Sequence, residues 1–275
     1  MTSVDERKQP PAAADRPAEL ERLPAHLPPY NTVFHHRLML AAAGIYLTPA
    51  SQILDFGCGS GATVYQYRDS GFDAFGFDIA NYVDLRSAED SALFRFSLTG
   101  KAGNIPEYQV AKDAYHIDFE DRRFDFVFSN SVFEHVQDHD LALREIARVL
   151  RPGGVSVHVF PARYSPLEPH LFVPFGGVIC NLGWYRLWAT LGVRNQFQQG
   201  MTAVAVARAN LHYSQTGINY PRIEALLALA RRHFAEATLA PQLWTIGSFR
   251  HPFVRLPVFR WLYSRLDTVL LLLQK

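Results

Sequence analysis

The sequence predicts an open α/β fold, in which a largely parallel sheet is covered by helices on both faces. Short apolar segments that are typical of buried strands alternate with segments whose apolar residues recur at helical intervals. Such an alternation is typical of parallel strands joined by crossover helices. The chain has 275 residues, 48% of them hydrophobic, which is enough for one large domain with a substantial core.

The elements are predicted in order along the chain. Residues 1–29 contain six prolines among alanines and charges, which predicts a flexible Pro/Ala-rich arm before a domain at 30–275. An amphipathic helix is expected over 30–47, ending near Gly44. Two later helices are predicted, one at 62–71 and one that begins at 138 and ends at Pro152–Gly154. Strands are predicted at 51–57, 72–78, 108–113, 123–130 and 154–161. A sixth strand is expected within 234–244, and periodicity leaves the tail open between a helix with a last strand at 268–275 and one long helix.

Composition excludes several classes of protein. The 27 Lys+Arg and 26 Asp+Glu give a net charge of +1, which argues against a nucleic-acid binder. Only Cys58 and Cys180 are present, so no disulfide framework is expected. The sequence lacks both a secretory leader pattern and an apolar run of about 18 residues. We therefore expect a cytoplasmic protein without a transmembrane segment.

The most informative segment is ILDFGCGSGATV at 53–64, where a predicted strand leads through Gly57, Gly59 and Gly61 into a helix. Glycines at such a turn let the backbone approach a ligand near the helix N-terminus, although they also serve helix–strand packing. The spacing Gly57-x-Gly59-x-x-Ala62 fits a dinucleotide cofactor, with Asp78 suited to ribose hydroxyls. However, Asp55 would face a pyrophosphate unfavourably and suits a ligand with an ammonium group, such as S-adenosylmethionine.

Five ordered segments then carry a family resemblance: DFGCGSG at 55–61, FGFD at 75–78, AKDAY at 111–115, FDFVFSNSVFEHV at 124–136 and VLRPGG at 149–154. Together they resemble the small-molecule, type 11-like branch of the class I S-adenosylmethionine-dependent methyltransferases, over about residues 51–160. The resemblance implies a Rossmann-like sheet of seven strands, parallel except for an antiparallel last strand. That last strand would be the segment at 268–275.

The resemblance also implies the cofactor contacts. The methionine part would be held by Asp55 and the backbone of Gly57, Cys58, Gly59 and Gly61, with Asn130 near the transferring methyl group. The ribose would bind Asp78, and the adenine would contact Ile79, Asp113 and the N–H of Ala114. From the residues alone, Asp78 could instead cap a turn, and Asp113 could lie in a solvated loop.

Two histidines are candidates for a general base, which an acceptor hydroxyl would require. His135 follows the fourth strand at the sheet edge and could instead order its loop. His170 follows the fifth strand and could instead lie in a solvated loop. His158, within the fifth strand, is expected in packing, and Cys58 is expected to be a small buried side chain. No metal site is expected from Glu134, His135, Asp138, His139 and Asp140, because adjacent residues of a helix do not converge. Asp138 or Asp140 is expected to cap that helix.

The stretch 161–233 is predicted to be an inserted substrate lid. It is rich in aromatic residues, which predicts an apolar or ring-bearing small-molecule acceptor, although a satellite core would look the same: Tyr164, Phe172, Phe175, Trp184, Tyr185, Trp188, Phe197 and Tyr213. Aromatics alternate with arginines at 184–188 and 249–263, which suits peripheral membrane contact, an RNA surface or an ordinary surface. The predicted function is methyl transfer to oxygen. A nicotinamide-dependent oxidoreductase and a catalytically inactive cofactor-binding module are the alternatives.

Overall fold

The computed structural model describes residues 32–97, 115–244 and 257–275. Two short 3-10 segments, Ala88–Leu93 and Gln196–Gln198, accompany the regular elements. The helices are α1 Thr32–Ala42, α2 Ala62–Asp69, α3 His139–Val149, α4 Leu182–Thr190, α5 Ala203–Thr216, α6 Ile223–Ala230, α7 Pro241–Trp244 and α8 Pro257–Leu266. The strands are β1 Gln52–Phe56, β2 Asp73–Asp78, β3 Phe94–Phe96, β4 Phe124–Asn130, β5 Leu150–Pro161, β6 Glu236–Leu239 and β7 Thr268–Gln274.

The seven strands form one sheet in the order β3-β2-β1-β4-β5-β7-β6. Strands β1 to β5 pair in parallel, whereas β7 is antiparallel to both of its neighbours, β5 and β6. The predicted Rossmann-like α/β fold is therefore confirmed. The tail is a helix followed by a strand, because α8 ends at Leu266 and β7 begins at Thr268.

The third strand along the described part of the chain is β3, Phe94–Phe96. The predicted strand at 108–113 lies outside the described residues, and so does the 1–29 arm. Beside β2 lies β3, which pairs Phe94 with Gly76 and Phe96 with Asp78. Three residues are too few for an alternating pattern to be recognised, so no strand is predicted at this position from the sequence.

The junction of α3 and β5 also differs from expectation. The helix ends at Val149, and β5 begins at once, so that Pro152–Gly154 lies inside the strand. Pairing with β4 shifts between Phe124↔Leu150 and Phe126↔Val155, and this irregularity accommodates the proline and glycines. At the other end of α3, Asp138 caps the helix as expected, accepting a hydrogen bond from the N–H of Leu141 at 3.0 Å.

Hydrophobic cores cover both faces of the sheet. One contains side chains of α3 and α6, such as Ile146 and Leu226. The other contains side chains of α1, α2 and α7, such as Met39, Val64 and Leu243. Burial on both faces explains why the strands read as nearly continuous apolar runs rather than alternating ones.

The stretch between β5 and α6 has a small core of its own. Leu171, Val173, Tyr185 and Ala207 are buried together, with Trp184 and other aromatics packed around them. Helix α6, at the end of the predicted 161–233 insertion, packs against the sheet instead. Several apolar side chains of the stretch are nevertheless exposed: Tyr164, Leu167, Phe172, Phe175, Leu187, Leu191 and Phe197.

No helix within the described ranges combines the length and apolar character needed to cross a membrane. The cytoplasmic location stays a prediction from the sequence.

Adjacent leucines of β7 test how the sheet is covered. Leu271 is fully buried and Leu272 only partly so. We expect Leu271→Ala to lower the free energy of unfolding by about 2–5 kcal/mol, because it leaves a cavity in the core. Leu272→Ala should cost clearly less. Urea unfolding followed by circular dichroism measures both, and equal losses would contradict the described burial.

Candidate functional site

A cavity of about 260 Å³ lies at the carboxyl ends of β1, β2 and β4. Its lining includes Gly57, Asp78, Ile79, Tyr82, Ser131 and His135. Open α/β sheets bind ligands at this edge, where the direction of strand order reverses. Here β1 lies between β2 and β4, so the cavity occupies that position.

The glycine loop is shaped by its neighbours. Gly57, Gly59 and Gly61 have φ of 83°, 50° and 77°, a left-handed conformation that disfavours side chains. A Cβ atom at Gly57 would overlap the side chain of Val132, and one at Gly61 would lie 2.8 Å from the ring of Phe94. At Gly59 the same atom would meet nothing within 4 Å. The loop is thus closely packed on both sides and open at its centre.

Asp78 joins the glycine loop to the end of β2. Its Oδ2 accepts a hydrogen bond from the N–H of Gly59 at 2.8 Å, and its Oδ1 accepts one from the N–H of Ile79 at 2.7 Å. Burial raises the pKa of Asp78, and these backbone N–H groups oppose the rise. The turn-capping role weighed for Asp78 is therefore present, and each oxygen keeps a lone pair for a ligand.

Asp55 lies in β1, between Gly76 of β2 and Phe128 of β4, and is 5% exposed. Burial raises its pKa well above the usual range, and the negative charge of Asp78 adds to the effect. A cationic ligand group would favour the ionised form at this position.

The other predicted cofactor residues have different surroundings. Ile79 lines the cavity, and Asn130 is exposed at the end of β4. Cys58 is buried, and burial raises the pKa of its thiol, as fits a small packed side chain. Asp113 and Ala114 lie outside the described residues.

The loop after β4 is a series of turns held by residues 217–219. The N–H of Asn219 donates to the carbonyl of Glu134 at 2.6 Å, and its side-chain amide donates to the carbonyl of Val136 at 2.9 Å. His135 Nδ1 lies 2.6 Å from the carbonyl of Gly217. His135 therefore orders its loop, the alternative role considered for it, and also lines the cavity.

His170 is held by a buried carboxylate. Its Nδ1 lies 2.7 Å from Oε1 of Glu168, which also accepts a hydrogen bond from the hydroxyl of Tyr220. Oε2 of Glu168 accepts from the N–H groups of His170 and Leu171. Four donors thus satisfy one carboxylate that is 1% exposed, and they lower its pKa in spite of its burial.

His135 and His170 meet at Glu134. Oε1 of Glu134 lies 3.8 Å from Nε2 of His135 and 3.9 Å from Nε2 of His170. The two imidazole rings are in edge contact, with centroids 4.9 Å apart. Both histidines are predicted from the sequence as candidate bases, whereas neither Glu134 nor Glu168 is predicted to take part in the site. Each glutamate nevertheless lies within two residues of one of these histidines.

Burial and nearby charges shift the pKa values of Glu134, His135 and His170 in different directions. Glu134 is fully buried, and burial raises its pKa to about 7. Burial lowers the pKa of His135. Burial alone would also lower the pKa of His170, but its hydrogen bond to Glu168 and the charges of Glu168 and Glu134 raise it.

The remaining polar residues near the loop have other partners. His139 contacts the carbonyl of Phe133 at 2.9 Å, and Asp140 contacts His233 at 2.9 Å. His158 is buried between the hydroxyls of Ser129 and Ser156, and burial lowers its pKa to about 3. His158 is therefore a packing residue, as expected, and not a base.

Comparison with known proteins identifies the domain. Residues 54–158 match the model of a methyltransferase domain family. Residues 54–158 thus match a methyltransferase domain, in agreement with the class I S-adenosylmethionine-dependent family that the sequence resembles. The match begins in β1 and ends in β5, so it spans the glycine loop, β2 and the turns around His135.

Curated relatives of this methyltransferase domain differ in what their names say they methylate. The chain is 32% identical over 133 residues to a malonyl-[acyl-carrier protein] O-methyltransferase of Pseudescherichia vulneris, covering 48% of this chain and 47% of that protein. It is 32% identical over 111 residues to a sterol 24-C-methyltransferase of Schizosaccharomyces pombe, covering 40% and 27%. The chain thus spans less than half the length of these relatives.

A solved structure of a sarcosine dimethylglycine methyltransferase-like protein from Galdieria sulphuraria aligns with 89% of this chain and 86% of its own. The sequence identity is 17% and the TM-score is 0.44. The fold assignment rests on the strand order rather than on this similarity.

Alanine substitutions at Gly57 and Gly59 compare a tightly packed position of the glycine loop with an open one. We expect Gly57→Ala to lower the free energy of unfolding by about 2–5 kcal/mol, because a positive φ and a clash with Val132 act together. Gly59→Ala should cost only about 1–2 kcal/mol, since strain acts alone there. Thermal and urea unfolding measure the difference; a more harmful Gly59→Ala would refute the described loop.

Proposed function

We propose that this chain transfers the methyl group of S-adenosylmethionine to an oxygen atom of a small, apolar or ring-bearing acceptor. One observation carries the proposal: beside a match to a methyltransferase domain, one and the same cavity is lined by Gly57 of the glycine loop, by Asp78 and by His135. A cofactor bound along the loop and an acceptor beside His135 would therefore share one space.

The carboxylates near the cavity support this cofactor. Asp55 is a buried acid, and the α-ammonium group of S-adenosylmethionine would offset its charge. Asp78 has lone pairs free for ribose hydroxyls while its present hydrogen bonds hold the loop. A dinucleotide pyrophosphate would instead bring further negative charge towards these two acids, which disfavours the oxidoreductase alternative.

Methyl transfer from a sulfonium ion is an in-line displacement. The acceptor oxygen forms a bond to the methyl carbon while the carbon–sulfur bond breaks and its electron pair stays on sulfur. Alignment of the three atoms supplies much of the acceleration. A hydroxyl acceptor must also lose its proton to a base. The cluster of His135, His170 and Glu134, at this end of the cavity, supplies the groups that would accept it.

The proposal for the acceptor rests on the stretch before α6. Its exposed apolar side chains include Phe172 and Phe175, which follow the segment that carries His170. An apolar acceptor next to the histidine cluster would cover such side chains and exclude water. We therefore propose that the predicted 161–233 lid forms the acceptor side of the cavity.

Cofactor binding provides the first test. Asp78→Asn removes a charged acceptor from the ribose site, and we expect about 10- to 150-fold weaker binding of S-adenosylhomocysteine by calorimetry. Asp84→Asn, at a nearby exposed acid, is the matched control and should bind as the native chain does. A native chain that binds nicotinamide dinucleotide and not S-adenosylhomocysteine would overturn the proposal.

Methyl transfer provides the second test. The chain is incubated with S-adenosylmethionine labelled in its methyl group and a panel of apolar ring compounds that carry a hydroxyl, an amine or neither. We expect label in the O-methyl products, identified by mass spectrometry. Transfer only to nitrogen or carbon would refute the oxygen assignment, and cofactor binding without any transfer would favour the inactive module.

A further inference from the structure

We propose that Glu134, His135 and His170 form a binding site for one divalent transition-metal ion of the zinc type. The proposal rests on the convergence of three ligand atoms from two separate segments, on the orientation of both imidazoles and on an unpartnered buried carboxylate. Its catalytic part also rests on the proposed methyl transfer to oxygen.

The three ligand atoms lie slightly farther apart than the ligands of a bound metal ion do. Glu134, His135 and His170 each offer one ligand atom, and these three atoms all lie within 4.8 Å of one another. The two distances from the carboxylate are 3.8 and 3.9 Å, which is beyond hydrogen-bond range. Zinc ligands at about 2.0–2.2 Å lie roughly 3.4 Å apart in a tetrahedral shell, so side-chain shifts of a few tenths of an ångström would complete the site.

Both imidazoles are oriented as metal-binding imidazoles are. Because a carbonyl oxygen only accepts, the contact with Gly217 places the proton of His135 on Nδ1. The contact with Glu168 favours the same tautomer of His170. In each ring the lone pair is then on Nε2, the nitrogen that lies within 3.9 Å of Oε1 of Glu134. Metal-bound histidines typically donate their other N–H to a carbonyl or a carboxylate in this way.

Glu134 supplies the independent reason for a cation. It is 0% exposed, and neither carboxylate oxygen accepts a hydrogen bond from another residue of the described ranges. A buried polar group without a partner is costly, and a buried charge is more so. Glu168, equally buried, has four donors, so the contrast is specific to Glu134. A metal ion bound between Glu134 and the two histidines would remove this cost.

Two histidines and one carboxylate leave a coordination position open, which is the pattern of catalytic rather than structural zinc. His135 lines the cavity, so the open position can face the acceptor. A bound ion would hold the acceptor oxygen and lower the pKa of its hydroxyl, which promotes loss of the proton before methyl transfer. No such site is predicted from the sequence, because adjacent residues of a helix do not converge. Glu134 and His135 lie in a turn instead, and here both approach His170.

The test uses the untagged full chain, freed of metal with a chelator. Zn²⁺ is titrated by calorimetry, and Co²⁺ by visible absorption, which reports the coordination number. We expect one ion per chain and the spectrum of a four- or five-coordinate Co²⁺ ion. Failure of the native chain to bind either ion would overturn the proposal, whatever the behaviour of variants.

Variants assign the ligands. Glu134→Gln and His170→Asn should weaken Zn²⁺ binding by at least about 100-fold, and Glu168→Gln, which removes a positioning residue, by about 10- to 100-fold. His212→Ala removes an exposed histidine outside the cluster and should leave binding unchanged. Circular dichroism verifies that each variant is folded. Native-like binding by both Glu134→Gln and His170→Asn would show adventitious surface binding and overturn the proposal.

The same samples separate this proposal from the proposed function. A chain that binds S-adenosylhomocysteine but no metal keeps the methyltransferase proposal and loses the metal site. A chain that binds one metal ion but no S-adenosylhomocysteine keeps the metal site and loses the cofactor assignment, and with it the role of the ion in acceptor activation.

Discussion

The loop that follows β4 carries the polar end of the cavity, and it depends on hydrogen bonds from a distant part of the chain. It consists of turns, and Asn219 supplies donors to three of its carbonyls while Gly217 accepts from His135. The same distant segment includes Tyr220, whose hydroxyl contacts Glu168 and thereby helps to hold His170. A few residues after α5 thus fix both histidines, and the geometry of the cluster follows from them.

Carboxylates distinguish the two ends of the cavity. Asp78 is engaged by backbone N–H groups, and its hydrogen bonds stabilise the glycine loop directly. Asp55 and Glu134 are more deeply buried, and burial raises the pKa of each. Buried acids of this kind reduce stability unless a cation or a donor meets them. The stability lost by burying Asp55 and Glu134 would be regained when cationic ligands bind beside them.

The fold could largely be predicted from the sequence, because buried strands and amphipathic helices leave repeated patterns over many residues. Strand β3, with three residues, leaves none. The glycine loop was recognised because Gly57, Gly59 and Gly61 are neighbours in the chain. The cluster was recognised only in part: His170 lies far along the chain from Glu134, and their approach depends on turn geometry and on tertiary hydrogen bonds that have no local signature.

Strand β7 has a consequence for how the molecule is synthesised. β5 ends at Pro161 and β7 begins at Thr268, yet the two pair over seven residues in the interior of the sheet. Throughout the translation of the intervening residues, one side of β5 has unpaired N–H and C=O groups flanked by apolar side chains. Such an open strand edge pairs readily with other chains. The nascent polypeptide is therefore prone to aggregate through this edge during the interval, and slow synthesis would prolong it.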